Sequence, residues 1–205
     1  MPGISRNVTK TSPCDTVVLY LHGFLSSPSS AKARLTVEYY QKQGFGGTIL
    51  VPELNWGPQQ TIDRLSTLVE SQPGNVVVIG SSLGGFYAGC LAERYRLMAA
   101  LINPAVHPHR HWQNYIGEHK GFYSDKVQVV TEEHVHELRR LDCDKPENPA
   151  NYLLLATEGD EVLDYRLAAE KYRDSQCIIE PEGNHSFDNY ASYLPLIFAF
   201  FSIKN

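Results

Sequence analysis

Gly80, Ser82 and Gly84 stand at the spacing G-x-S-x-G inside VVVIGSSLGGFYAG, residues 76 to 89. An apolar run leads into the glycines and serines and a helical pattern follows at once. That strand–turn–helix setting is the one in which such a serine serves as a nucleophile. In so sharp a turn the serine takes a strained backbone conformation, and a side chain two residues before or after it would collide with neighbouring backbone. The helix that opens at Leu83 turns its free N–H groups and positive dipole end toward a reacting carbonyl oxygen. Two other readings compete. A phosphate- or dinucleotide-binding turn is opposed by the lack of G-x-G-x-x-G spacing and of a following Lys-Ser/Thr pair; a purely structural turn stays open.

A serine hydroxyl is too weak an acid to attack unaided. It needs a histidine within hydrogen-bond reach and a carboxylate that fixes the histidine's tautomer. Both occur downstream, in the order acid then base. YLLLATEGDEVLDY is a strand pattern that ends in an acidic turn with Glu158, Asp160, Glu161 and Asp164, and CIIEPEGNHSF is a strand pattern that ends at His185. Asp160, directly after Gly159, is the favoured acid, whereas Asp164 is placed to cap the next helix. His185 in isolation reads as a surface-loop histidine; its position past a strand makes it the base. A second oxyanion donor is expected from YLHGFLSSP, residues 20 to 28, where the backbone N–H of Phe24 would face the same oxygen as that of Leu83 and His22 would be architectural.

The elements that must position these residues alternate along the chain. Strand patterns lie at 16–22, 48–52, 75–80, 98–103, 152–157 and 176–180. Several are apolar at consecutive positions, as befits strands covered on both faces of a parallel sheet. The first helix is expected to be capped by Ser27, to carry Pro28 at its first position and to end at Gly44. Further helices are expected at 60–71, 83–95, 164–173 and 190–202. This order predicts a three-layer, doubly wound α/β fold with a mainly parallel sheet, built as one domain over 1–205. At 205 residues and 42 % hydrophobic content the chain suffices for one well-buried core.

Residues 106–150 break the alternation: they show no clear strand, a short helix near 131–141, and His107, His109, His111, His119, His134 and His136. They read as an insertion over the C-terminal edge of the sheet. HPHRH and HVH have a spacing that metal ligands use, but no cysteine accompanies them, Pro108 interrupts the first group, and an extended segment would place them in solvent; no metal and no organic cofactor is expected. Histidines titrate near neutrality, so the insertion is expected to gain charge on acidification and alter access to the site. Under it an acyl groove is expected to involve Phe24, Leu25, Leu83, Trp112 and Tyr115, with Phe122 and Tyr123 as further candidates, unless these aromatics only pin the insertion to the body.

A formal charge of −5 without basic or acidic blocks gives no sign of nucleic acid or an anionic membrane surface as partner. A small molecule remains the expected partner, and the oligomeric state is open. Cys14, Cys90, Cys143 and Cys177 lack paired spacing and read as reduced, and the apolar YLPLIFAFFSI is far short of the roughly 20 residues needed to span a bilayer. A cytoplasmic protein is expected.

LYLHGFLSSPSSAKA, IGSSLGGFYA, INPAV, GDEVLDYR and EGNHSF together resemble the small bacterial YqiA-like esterases of the α/β-hydrolase superfamily. The resemblance covers nearly the whole chain apart from a loose extension at 1–15. It implies an α/β-hydrolase fold with a small lid formed by the insertion at 106–150, a serine esterase acting on acyl esters, acyl thioesters such as acyl-CoA as a related substrate class, and Ser82, Asp160 and His185 as the triad. Two alternatives stand beside it: a hydrolase-fold binding protein without activity, and a serine amidase or peptidase, since the same triad serves all three bonds.

Overall fold

A computed structural model of the chain describes residues 16–54, 57–122 and 127–203; the extension at 1–15, with Cys14, and Tyr123 lie outside them. Chain order is β1 (Val17–Leu21), α1 (Ala31–Gln43), β2 (Thr48–Leu50), α2 (Pro58–Glu70), β3 (Val76–Ser81), α3 (Leu83–Tyr95), β4 (Met98–Ile102), β5 (Gly117–Lys120), β6 (Val127–Val130), α4 (Glu132–Leu141), β7 (Tyr152–Thr157), α5 (Tyr165–Lys171), β8 (Gln176–Glu180) and α6 (Tyr190–Phe200). The main sheet runs β2-β1-β3-β4-β7-β8, and every neighbouring pair is parallel. It is the doubly wound α/β architecture that the alternation predicts.

The apolar runs explain why the sheet sits in the middle. β1, β3 and β7 are buried at every residue. Successive side chains point to opposite faces. Val17, Leu19, Leu21, Val76 and Val78 therefore join Ile62 and Leu65 of α2 and Leu91 of α3 in one cluster. On the other face Val18, Tyr20, Val77 and Ile79 join Tyr40 of α1 and Leu194, Ile197 and Phe198 of α6. Each such side chain contributes about 1.5–3 kcal/mol when fully buried.

The winding direction reverses between β1 and β3. From β1 the chain crosses through α1 to β2 on one side; from β3 it crosses through α3 to β4 on the other. Neighbouring loops at such a point diverge and leave a crevice beyond the carboxyl ends of the strands. The loops after Leu21 and Ser81 both open there.

Two expectations need correction. α1 begins at Ala31 and not at Pro28: Ser27 spends its carbonyl and hydroxyl on a turn, accepting from the N–H groups of Ser30 at 3.0 Å and Ser29 at 3.1 Å, so the helix starts only after it. Its predicted end holds, with Gly44 at φ 67°. The stretch 106–150 does contain strands, for β5 and β6 form an antiparallel hairpin that pairs Gly117 with Val130. GEHK and VQVV give no alternating apolar signal because Val130 alone among them is buried. The expected helix at 131–141 is α4, capped by the Thr131 hydroxyl accepting from the His134 N–H.

Candidate active site

Ser82 sits between β3 and α3 at φ 57°, ψ −123°. This is a region that non-glycine residues occupy at a cost of about 1–3 kcal/mol and only where the surroundings enforce it. The enforcement is visible. The Ser82 N–H donates to the Ile102 carbonyl at 3.1 Å, and its carbonyl accepts from Gly85 and Ala105, each at 2.9 Å. A Cβ on Gly84 would lie 2.1 Å from the Leu21 carbonyl oxygen, and one on Gly80 would lie 2.3 Å from that of Gly84. Strand, turn and helix approach closer than any side chain permits.

His185 lies on the loop between β8 and α6. Its Nε2 is 3.1 Å from Ser82 Oγ, and its Nδ1 is 2.9 and 3.0 Å from the two Asp160 oxygens. The Asp160 side chain is 2 % exposed. Burial opposes its charge, but the hydrogen bonds from His185 and from the Leu163 and Val162 N–H groups, both at 2.8 Å, outweigh it and hold the carboxyl below the usual carboxylate range. An ionised carboxylate only accepts, so Nδ1 carries the imidazole proton and Nε2 is left to accept from the Ser82 hydroxyl.

The remaining acids of the turn have other duties. Asp164 caps α5 through the Arg166 N–H at 3.0 Å and pairs with the Arg166 guanidinium. Glu161 accepts from the backbone N–H of His185 at 2.9 Å, and Glu158 from the Tyr165 hydroxyl at 3.3 Å. Glu161 thus steadies the backbone of the histidine whose ring Asp160 orients.

Phe24 lines the cavity beside Ser82 and Leu83 opens α3 directly after it, and the backbone N–H of neither has an acceptor among the described residues. His22 shapes the first loop: its Nδ1 is 2.9 Å from the Gly23 carbonyl, and burial lowers its pKa against the opposing pull of that carbonyl and Glu53. Gly23 lies close against the serine: a Cβ there would stand 3.1 Å from Ser82 Cβ, tighter than an ordinary contact. A cavity of about 250 Å³ holds Ser82 and His185 and is lined also by Phe24, Ser26, Ser30, Lys32 and Phe122.

Leu25, Trp112 and Tyr115 do not line that cavity. Leu25, at φ 57°, is buried, and its carbonyl accepts from the Phe122 N–H at 2.8 Å. Trp112 and Tyr115 pack on Phe24, with ring centroids 4.8 and 6.1 Å away. Trp112 also lines a neighbouring cavity of about 140 Å³, bounded by Phe24, Leu83 and Tyr87.

Asn103 is a further residue of the site. It is 3 % exposed, with φ 40°. Its Nδ2 donates to the carbonyls of Asn184 at 3.0 Å and His185 at 3.3 Å, while its Oδ1 accepts from the Thr157 N–H at 2.9 Å. The INPAV segment therefore grips Ser82 through Ile102 and Ala105 and the His185 loop through Asn103. A buried polar residue just past a strand, in a motif already singled out, was the available signal.

Of the insertion's histidines, His111 and His136 are exposed as expected, whereas others are not. His107 and His109 are largely buried, with Nδ1 atoms 2.6 and 3.2 Å from Asp142 Oδ2, and the Lys171 ammonium is 3.3 Å from Oδ1. Burial lowers the His109 pKa despite Asp142. Among the described residues no three such groups are arranged to hold a metal ion, and no helix is long and apolar enough to cross a membrane. Cys90, Cys143 and Cys177 are free thiols.

The profile of an uncharacterised protein family, UPF0227, matches residues 17–202. A UPF0227 protein of Serratia proteamaculans is 25 % identical over 191 residues, covering 90 % of this chain and 98 % of the relative; one from Shewanella woodyi is 25 % identical over 193 residues with the same coverage. Among solved structures, Est1E from Butyrivibrio proteoclasticus superposes with a TM-score of 0.69 at 14 % identity, covering 92 % of this chain and 87 % of that one. Alpha/beta hydrolase domain-containing protein 10 from mouse gives 0.69 at 15 % identity over 91 % and 89 %. The esterase domain of a Rhodothermus marinus protein gives 0.65 at 18 % identity over 93 % and 88 %. These likenesses establish the α/β-hydrolase fold.

Proposed function

The chain belongs to the UPF0227 family, and on that premise we propose that it is a serine hydrolase of acyl esters working through an acyl-enzyme. The observation that carries the reading is the continuous relay from Ser82 Oγ through His185 to Asp160, with each step at 2.9–3.1 Å. Ser82 attacks the ester carbonyl while His185 Nε2 takes its proton. The oxyanion that forms is held by the N–H groups of Phe24 and Leu83 at the N-terminus of α3. His185 then gives the proton to the departing alcohol oxygen, and water repeats the sequence on the acyl-enzyme. Asp160 keeps the proton of Nδ1 in place and stabilises the imidazolium without itself becoming protonated.

Leu25, Trp112 and Tyr115 act on substrate through Phe24: the turn at Leu25 and the two rings fix its side chain and, with it, the direction of its N–H. The hairpin side of the insertion serves as the lid, since Phe122 reaches the Ser82 cavity and hydrogen-bonds to Leu25. Acyl thioesters such as acyl-CoA fall within the same chemistry. The test is hydrolysis of 4-nitrophenyl and CoA esters with acyl groups of increasing length, beside Ser82→Ala. Turnover by the wild type and none by the variant is expected. Equal silence of both toward esters, with cleavage of amides or with binding alone, would replace this reading.

A further inference from the structure

The crevice beside Ser82 has one cationic wall. We propose that the ester this protein hydrolyses carries an anionic group, carboxylate or phosphate, bound by Lys32, the Ser30 hydroxyl and the N-terminus of α1. The inference rests on the ester-hydrolase reading and adds a substrate class to it.

Lys32 is the second residue of α1 and lines the cavity that holds Ser82 and His185. Its ammonium donates to the Ser186 carbonyl at 2.7 Å. Among the described residues it has no ion-pair partner, although an ammonium has three donors. No carboxylate lines the cavity among its described residues. Burial lowers the Lys32 pKa, against the pull of Asp160 and Asp188. Neither acid neutralises it directly: the Asp160 oxygens serve His185, Val162 and Leu163, and Asp188 Oδ2 accepts from Asn184 at 2.7 Å. The charge is therefore half withdrawn from water without a counter-ion in contact.

Ser30 supplies the independent observation. It is 8 % exposed and lines the same cavity, and its hydroxyl has no partner among the described residues. It stands at the N-cap of α1 without capping it, and no acidic residue occupies the first turn. An N-cap serine usually satisfies a free helix N–H. Here the hydroxyl, the helix dipole and the remaining donors of the ammonium are left for something else, and each favours an anionic oxygen. A neutral ester would close over the wall and leave these donors unpaired, a penalty that an anionic substrate avoids.

The experiment compares esters matched except for charge. Mono-4-nitrophenyl glutarate is set against 4-nitrophenyl pentanoate, which places the anion on the acyl side, and 4-(butyryloxy)benzoate against phenyl butyrate, which places it on the leaving group. The readout is the ratio of kcat/KM for the charged over the neutral member, because Lys32 also ties the loop next to His185 and both rates will move together. At least one pair is expected to favour the charged ester by about tenfold or more in the wild type, as a charge-assisted pair gives. Lys32→Met should bring that ratio to one or below, and Lys32→Arg should keep most of it. Glutarate and inorganic phosphate, added as competitors, distinguish the two headgroups: the one that inhibits in a Lys32-dependent way is the match. Ratios at or below one for both pairs, or a preference that survives Lys32→Met, overturn the proposal while Ser82-dependent turnover of the neutral esters leaves the hydrolase reading standing. If no ester is cleaved at all, calorimetric binding of glutarate and phosphate to wild type and Lys32→Met decides: tighter binding to the wild type supports the anion site, and equal or absent binding overturns it.

Discussion

Asn103→Ala removes a side chain that holds two loops at once. In the native fold the Thr157 N–H donates to Asn103 Oδ1, and the Asn184 and His185 carbonyls accept from Nδ2. Asn184 keeps other donors, the Thr157 hydroxyl at 3.1 Å and the Phe187 N–H at 3.0 Å. The Thr157 N–H keeps no acceptor. A buried unsatisfied donor costs about 1–3 kcal/mol and each of the two lost carbonyl hydrogen bonds about 1 kcal/mol more, so the fold should lose about 3–5 kcal/mol. For a chain of this length that corresponds to a fall in Tm on the order of 6–20 °C. The catalytic effect is separate. Freed from Asn103, the loop that carries His185 can drift, and a displacement of an ångström at a reacting group costs on the order of a hundredfold. At a temperature where the variant is fully folded, kcat for 4-nitrophenyl butyrate should fall at least about tenfold, with KM moving far less. An unchanged Tm would refute the burial argument. A lowered Tm with kcat within twofold would show that Asn103 braces the fold and not the base.

Asp160→Asn and Asp164→Asn are expected to part company. The first leaves a side chain that cannot hold the His185 tautomer and should lower kcat by orders of magnitude, whereas the second removes a helix cap and should cost only about 1 kcal/mol of stability; steady-state kinetics beside thermal melts tests the ranking, and the reverse order would reassign the acid. Because the folded pKa of Asp160 is depressed, its ionisation stabilises the fold above the unfolded value of about 3.9 and that contribution is lost as pH falls through the lower folded value. The stability difference between wild type and Asp160→Asn, measured by denaturant titration, should therefore shrink from pH 6 toward pH 3, and a difference that grows in acid would contradict the direction of the shift.

Much of this was legible because β1, β3 and β7 are covered on both faces and so are apolar without interruption. G-x-S-x-G was readable for a related reason: close contacts at Gly80 and Gly84 exclude every side chain, so geometry shows directly in residue type. Asp160 could be preferred over its neighbours from Gly159 and the helix start, but what Glu158 and Glu161 do depends on where β8 brings its loop. The hairpin β5–β6 was hidden because its pairing is made by backbone groups under exposed side chains. Asn103 and Lys32 escaped for a different reason: a polar residue's role lies in which distant carbonyls or cavities it meets, and no local pattern encodes that. α1 starts later than its pattern predicts because serines offer turns and caps the same hydrogen bonds.

The hydrogen bond between Ser82 and His185 joins residues 103 apart in the chain, and Asn103 reaches His185 across 82. Contacts of such separation form late, after the entropy of closing long loops has been overcome. Helices and the β1–β3 pair can be in place while β7 and β8 are still undocked, and in that state Ser82 has no base. During refolding, then, turnover should trail the return of the circular dichroism signal, and a trace in which activity recovers first would contradict this order. The reaction centre registers completion: the molecule becomes chemically competent only when the last strand has joined the sheet.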